Sequence, residues 1–122
     1  MTVKELLDII EDFSDNPVFI KCTNKLDRTS IRFTAQEIGE SDTTGTCYIH
    51  AYVKGKGLTT DDLYLILRKF DGDKKIKGLL SDSSLRLSGN IVDVYEDNDD
   101  TIIEIECSNP DTLELISDKI DF

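Results

Sequence analysis

The sequence predicts an α+β fold: a single, mostly antiparallel sheet of about five strands with helices packed on it. Three observations predict it. Apolar residues recur at helical spacing behind clear N-caps. Between those segments lie short runs in which apolar and polar residues alternate with period two. Gly, Pro and Asx clusters separate one run from the next. The expected order is α-β-β-β-α-β-β-α, in one domain spanning residues 1–122.

The first helix is expected over 2–14. Thr2 and Glu5 form a T-x-x-E capping box, in which hydroxyl and carboxylate each satisfy a free backbone N–H. Val3, Leu6, Leu7, Ile10 and Phe13 then share a face, and Pro17 disfavours helix at the residue before it. A short strand follows over 18–22. The next, over 29–38, alternates Ile31, Phe33 and Ala35 with Arg32, Thr34 and Gln36. After the loop GESDTTG comes a strand over 46–54, with Cys47, Ile49, Ala51 and Val53 on one face and Tyr48, His50 and Tyr52 on the other. Both faces are substantial, which suits a central strand covered on both sides.

The second helix is expected over 60–70, capped by Thr59 or Thr60, with Asp61 and Asp62 at its positive end. Residues 74–84 carry no clear pattern. Strands over 86–95 and 101–107 form a hairpin around Glu96–Asp100, and Ser88-Gly89-Asn90 suits a bulge or kink. Asn109 and Pro110 then open a third helix, 110–120, with Leu113, Ile116 and Ile120 as its stripe. The expected core is Leu6, Leu7, Ile10, Ile31, Phe33, Ile49, Val53, Leu63, Leu67, Val92, Val94, Ile103 and Ile105. No internal repeat, low-complexity segment or linker divides the chain.

At 122 residues the chain can bury roughly two-thirds of its unfolded surface, enough for one core without staples. Trp is absent, so that core is mainly aliphatic. Cys22, Cys47 and Cys107 are odd in number, and none forms a C-x-x-C pair. Such spacing suits reduced, buried thiols rather than a disulfide framework or zinc site. No apolar run approaches the ~20 residues a membrane span needs. The first residues are amphipathic rather than continuously apolar, so no secretion signal is expected. These readings point to the cytosol, or to assembly from the cytosol.

The net charge of −11 is uneven. Residues 1–89 hold 14 acidic and 13 basic residues, leaving −1, while residues 90–122 hold 11 acidic residues and one base, Lys119, leaving −10. That last third would repel phosphate, so direct nucleic-acid binding is not expected. It permits a basic protein partner, and equally suits a solvated face.

No enzyme motif stands out. His50 is the one imidazole, and Cys47, an odd number of residues away, falls on the opposite face of the strand. Gly55-Lys56-Gly57 lacks the spacing and terminal Ser/Thr of a phosphate loop. Asp97-Asn98-Asp99-Asp100 lacks the alternate acids, glycine and terminal Glu of a calcium loop. No catalytic residue, metal ligand or cofactor is therefore expected.

The order and texture of the chain resemble the tail terminator or tail-completion proteins of long-tailed phages. The resemblance runs through helix 1–13, strand 31–38, the acidic loop Gly39-Glu40-Ser41-Asp42, strand Tyr48-Ile49-His50-Ala51-Tyr52-Val53, helix 60–70, and the closing strands Gly89-Asn90-Ile91-Val92-Asp93-Val94 and 102–107. The third helix departs from the pattern. The resemblance implies a non-enzymatic virion assembly protein, acting as a homo-oligomeric ring at the head–tail junction. In such a ring Lys54, Lys56, Lys74, Lys75 and Lys77 would meet Asp93, Glu96, Asp97, Asp99 and Asp100 of a neighbour. The alternative is a small acidic phage inhibitor that imitates nucleic acid and binds a host defence nuclease or another basic host protein.

Overall fold

A computed structural model of the chain describes residues 1–23, 28, 30–81 and 86–106. Its elements are α1 (Val3–Ile10), β1 (Val18–Thr23), β2 (Ser30–Glu40), β3 (Cys47–Tyr52), α2 (Thr60–Leu67), β4 (Ile76–Ser81), β5 (Arg86–Asp97) and β6 (Asp100–Glu106). The expected third helix and Cys107 lie outside the described residues.

The sheet is not open. The strands close into a barrel in the order β1-β2-β3-β4-β5-β6, which overturns the expected five-stranded sheet carrying helices. The sixth strand, β4, is the one the sequence hides. Gly78 interrupts its alternation and Leu79 places an apolar side chain on its outer face, so IKGLLS reads as no period at all. β4 supplies the missing wall: it runs parallel to β3 and antiparallel to β5. The parallel pair β1·β6 completes the circle.

The barrel is two copies of one unit, helix followed by three antiparallel strands. In the first, α1 leads to β1-β2-β3; in the second, α2 leads to β4-β5-β6. The match extends to single residues. Each helix opens with a capping box, Thr2 with Glu5 and Thr59 with Asp62. Each cap bridges to the residue before the other unit's first strand, Thr2 to Lys75 and Thr59 to Pro17. Val3 N–H donates to Lys74 O at 2.9 Å, and its counterpart Thr60 N–H donates to Asn16 O at 2.8 Å. Ile76 N–H reaches Met1 O as Val18 N–H reaches Leu58 O, each at 3.0 Å. Each middle strand carries a bulge at the same place, between Ala35 and Glu37 and between Ile91 and Asp93. The second bulge lies just beyond the Ser88–Asn90 position expected for it.

β1, β3, β4 and β6 run in one direction, so both helices cover the same end of the barrel. Val3, Leu6, Ile10, Leu63 and Leu67 close that end over the interior. Both helices are shorter than expected, because the turns after Ile10 and Leu67 leave the α-helical ladder before Phe13 and Phe70. The hairpin tip is also tighter. Asn98 and Asp99 alone form it, with φ of 49° and 67°, the left-handed pair of a type I′ turn.

Inside, the two copies complement each other. The cross-strand pair Ile20–Phe33 of the first unit corresponds to Gly78–Gly89 of the second. Ile105 of the same unit and Ile20 of the first take up the room that Gly78 leaves. A Cβ on Gly78 would come within 2.5 Å of Ile105 Cγ2 and 3.5 Å of Ile20 Cγ2. Of the expected core, Val53 and Val92 are outside it, at 38% and 57% exposure. Val53 follows the end of β3, and the bulge turns Val92 outward. Leu7, Ile31 and Val94 are only half-buried. Cys22 and Cys47 line the interior as expected.

Gly89→Ala should lower stability by about 1–3 kcal/mol, the usual cost of overpacking, because the new methyl meets the Glu106 carbonyl oxygen of β6. Gly39→Ala, with no heavy atom within 4 Å of the added carbon, is the matched control. Urea denaturation of both variants decides; equal midpoints would refute this packing of β5 on β6.

Candidate functional site

The bulge in β2 brings Glu37 opposite His50 on the outer wall, and three strands are tied together there. Tyr52 Oη donates to Glu37 Oε1 at 2.7 Å. His50 Nδ1 lies 3.4 Å from the same oxygen, and its Nε2 lies 3.3 Å from Ser81 Oγ on β4. The His50 and Tyr52 rings stack with centroids 5.1 Å apart. A carboxylate only accepts, so Nδ1 carries the proton of a neutral imidazole and Nε2 accepts from the Ser81 hydroxyl.

Glu37, His50 and Ser81 thus have the connectivity of a hydrolase relay, but its environments are inverted. In a working relay the acid is buried and the nucleophile faces substrate. Here Glu37 is the exposed member, with its side chain at 60%, and Ser81 is buried at 6% with its hydroxyl turned to the imidazole. The set is a strut across β2, β3 and β4. Sequence reasoning found His50 but not Ser81, which sits in the strand whose alternation Gly78 obscures. Burial pushes the His50 pKa below its ordinary 6.5, against the opposing pull of Glu37, while Arg86 adds to the depression. The hydrogen bond to Glu37 raises the Tyr52 phenol above its ordinary value.

Beside the strut an open groove of about 440 Å³ runs over the outer wall from β2 to β5. Tyr48, His50 and Leu79 form its floor, with Glu40, Arg86 and Ser88 around it. Among the described residues no group of three or more His, Cys, Asp or Glu side chains is arranged to hold a metal ion. No helix there is long and apolar enough to cross a membrane.

The charged residues singled out from the sequence fall in several places. Lys54 and Lys56 lie on the exposed segment after β3, which crosses back over the β2 bulge. Lys74 and Lys75 stand at the helix-covered end before β4, and Lys77 stands on the wall opposite Tyr48 and Asn90. Lys74 is in an ion pair with Glu40, which raises its pKa. Among the acids, Glu96 accepts from Asn16 Nδ2 at 2.9 Å and from Ser14 N–H at 3.2 Å. Arg32 reaches Asp97 at 3.2 Å and Asp100 at 3.5 Å. Asp99 occupies the exposed turn, and Asp93 faces outward from β5, directly opposite Glu104.

The two units also differ on this wall. The registers place Asp93, Glu104 and Glu106 where the first unit has Glu37, His50 and Tyr52. A carboxylate with two neutral hydrogen-bonding rings is replaced by three carboxylates. No family model, curated protein or solved structure matches the chain.

Because its folded pKa is depressed, His50 should be neutral in the native chain where the unfolded chain already binds a proton. Stability should therefore be full above about pH 6.5 and fall as pH drops from there toward the native value. The lone imidazole can be followed by NMR. A native titration at or above 6.5, or an unchanged pH–stability curve in His50→Gln, would contradict the strut.

Proposed function

We propose that the chain is a non-enzymatic, phage-type binding protein that captures a basic protein partner on the acidic wall of its second unit. The pairing of Asp93 with Glu104 across β5 and β6, where the first unit has Glu37 with His50, carries this reading. Like charges facing each other across strands destabilise a sheet. A cationic partner relieves that cost, and complementary charge speeds association at low salt.

The strut supports the absence of catalysis: the one imidazole has both nitrogens engaged and its serine is buried. A ring at a phage head–tail junction finds less support. Lys74, Glu96, Asp97 and Asp100, all assigned to subunit contacts in that reading, have partners within the chain. A closed barrel also offers a neighbour no open sheet edge to extend.

Light scattering across a salt series should show a monomer throughout. Immobilised chain should retain basic proteins from host lysate at low salt and release them as the screening length falls to about 8 Å near physiological ionic strength. Asp93→Lys with Glu104→Lys should abolish retention while leaving the circular dichroism spectrum unchanged. A discrete hexameric ring would overturn the reading in favour of assembly.

A further inference from the structure

The two units fill their outer walls differently near the helix-covered end. In the second unit Tyr95 stands opposite Ile102, and its hydroxyl accepts from Lys21 Nζ at 3.4 Å. Lys21 is on β1, so the Tyr95 ring crosses β6 to reach it. Ile102 is fully buried there, although Ile103 beside it is the one that faces the interior.

The registers place Gly39 where the second unit has Tyr95, Tyr48 where it has Ile102, and Leu79 where it has Lys21. The first unit therefore lacks the ring, and a Cβ on Gly39 would meet no heavy atom within 4 Å. What remains is the groove of about 440 Å³, with half-buried Tyr48, His50 and Leu79 as its floor. That is the size of a small-molecule site, with an aromatic and aliphatic floor and a few polar groups at its edge.

Its charges favour an anion. Arg86 and Ser88 are exposed on the β5 side, and Lys77 lies between Tyr48 and Asn90. Neither Arg86 nor Lys77 is in an ion pair among the described residues. On the β2 side Glu37 accepts from Tyr52, Glu40 is paired with Lys74, and Asp42 lies beyond Ser41 on the exposed loop.

We propose that this groove binds a small aromatic carboxylate. The ring takes the room that Tyr95 fills in the second unit, lying over Tyr48 and Leu79, where aromatic faces attract one another beyond simple burial. The carboxylate takes the place of the Tyr95 hydroxyl. Its cation is Arg86, one strand beyond Leu79, whose planar fork matches two carboxylate oxygens. The Ser88 hydroxyl donates beside it. The site is apart from the Asp93–Glu104 pair and does not rest on the partner proposed above.

The test is NMR titration of the isotope-labelled full chain with p-hydroxyphenylpropionate, which joins the Tyr95 ring to a carboxylate. Saturable shifts should appear at the amides of Gly39, Tyr48, Leu79 and Ser88, while those of Asp93 and Glu104 stay in place. Tyramine, with a cation in place of the anion, should give no saturable shift. Cyclohexylpropionate, with no π face, should bind several-fold more weakly. Gly39→Tyr, which restores the ring from within, should abolish binding, and Gly39→Ala should retain it. Arg86→Gln should weaken binding about tenfold, the loss of one hydrogen-bonded charge. Absence of saturable shifts at these four amides, equal affinity for the three compounds, or unchanged affinity in either Gly39→Tyr or Arg86→Gln overturns the site.

Discussion

The structure depends on a seam that no covalent connection enforces. β3 and β4 are joined through α2, a short crossover that suits parallel neighbours. β1 and β6 are held together only by their parallel ladder, from Val18 opposite Thr101 to Thr23 opposite Glu106. Without that ladder the barrel would be an open sheet with two bare edges, and Val18, Ile20, Ile103 and Ile105 would lose their enclosure. A buried polar knot stands at the top of the seam. Thr60 Oγ1 contacts Thr101 Oγ1 at 2.8 Å and donates to Asn16 O at 3.1 Å, and Asn16 passes the chain on to Glu96. The helix that begins at Thr60 is thereby tied to both strands of the seam. A buried hydroxyl left unpaired costs free energy, so this arrangement favours the closed register over a slipped one.

Seen as two units, the molecule separates what the backbone requires from what side chains are free to change. The capping boxes, crossed bridges and bulges recur because each unit closes its strands onto the other's first strand by the same hydrogen bonds. The side chains at equivalent places need only be complementary. Phe33 faces the lumen in one unit and Gly89 in the other. Val3 and Cys47 are buried as apolar neighbours of the scaffold, where Thr60 and Thr101 share a hydrogen bond. Glu40 pairs with Lys74 as Glu96 pairs with Asn16. Divergence within one geometry explains how the repeat is absent from the residue sequence and plain in the fold.

The outer wall is where divergence changes chemistry rather than packing. In the first unit the polar side chains satisfy one another, and the segment after β3 covers the bulge beside them. In the second, Arg32 draws the hairpin tip toward the first unit and offsets Asp97 and Asp100. Among the described residues, the acids of the last third thus divide into a tip offset by Arg32 and an acidic wall. Net charge by itself bears on association before it bears on function.

Several elements were legible from residues alone because their causes are local. A capping box and an apolar stripe produce α1 and α2 wherever they occur, and period-two alternation marks β2, β3 and β6. The burial of Cys47 opposite an outward His50 follows from strand geometry alone. β4 was not legible, since Gly78 is a gap in the pattern whose meaning lies in Ile20 and Ile105 across the lumen. Val92 looked like core because alternation carries no sign of an inserted residue, and a bulge reverses every face after it. The Glu37–His50–Ser81 strut needed the β3·β4 register to bring Ser81 beside a histidine far away in sequence. Sequence by itself determined which segments bury a face, where the helices begin and where charge accumulates, because neighbours within a few residues decide those things. Tertiary structure alone decided that the sheet closes, that it is built twice, and which carboxylates are spent on internal partners, because those depend on pairings between strands that the chain brings together only once it has folded.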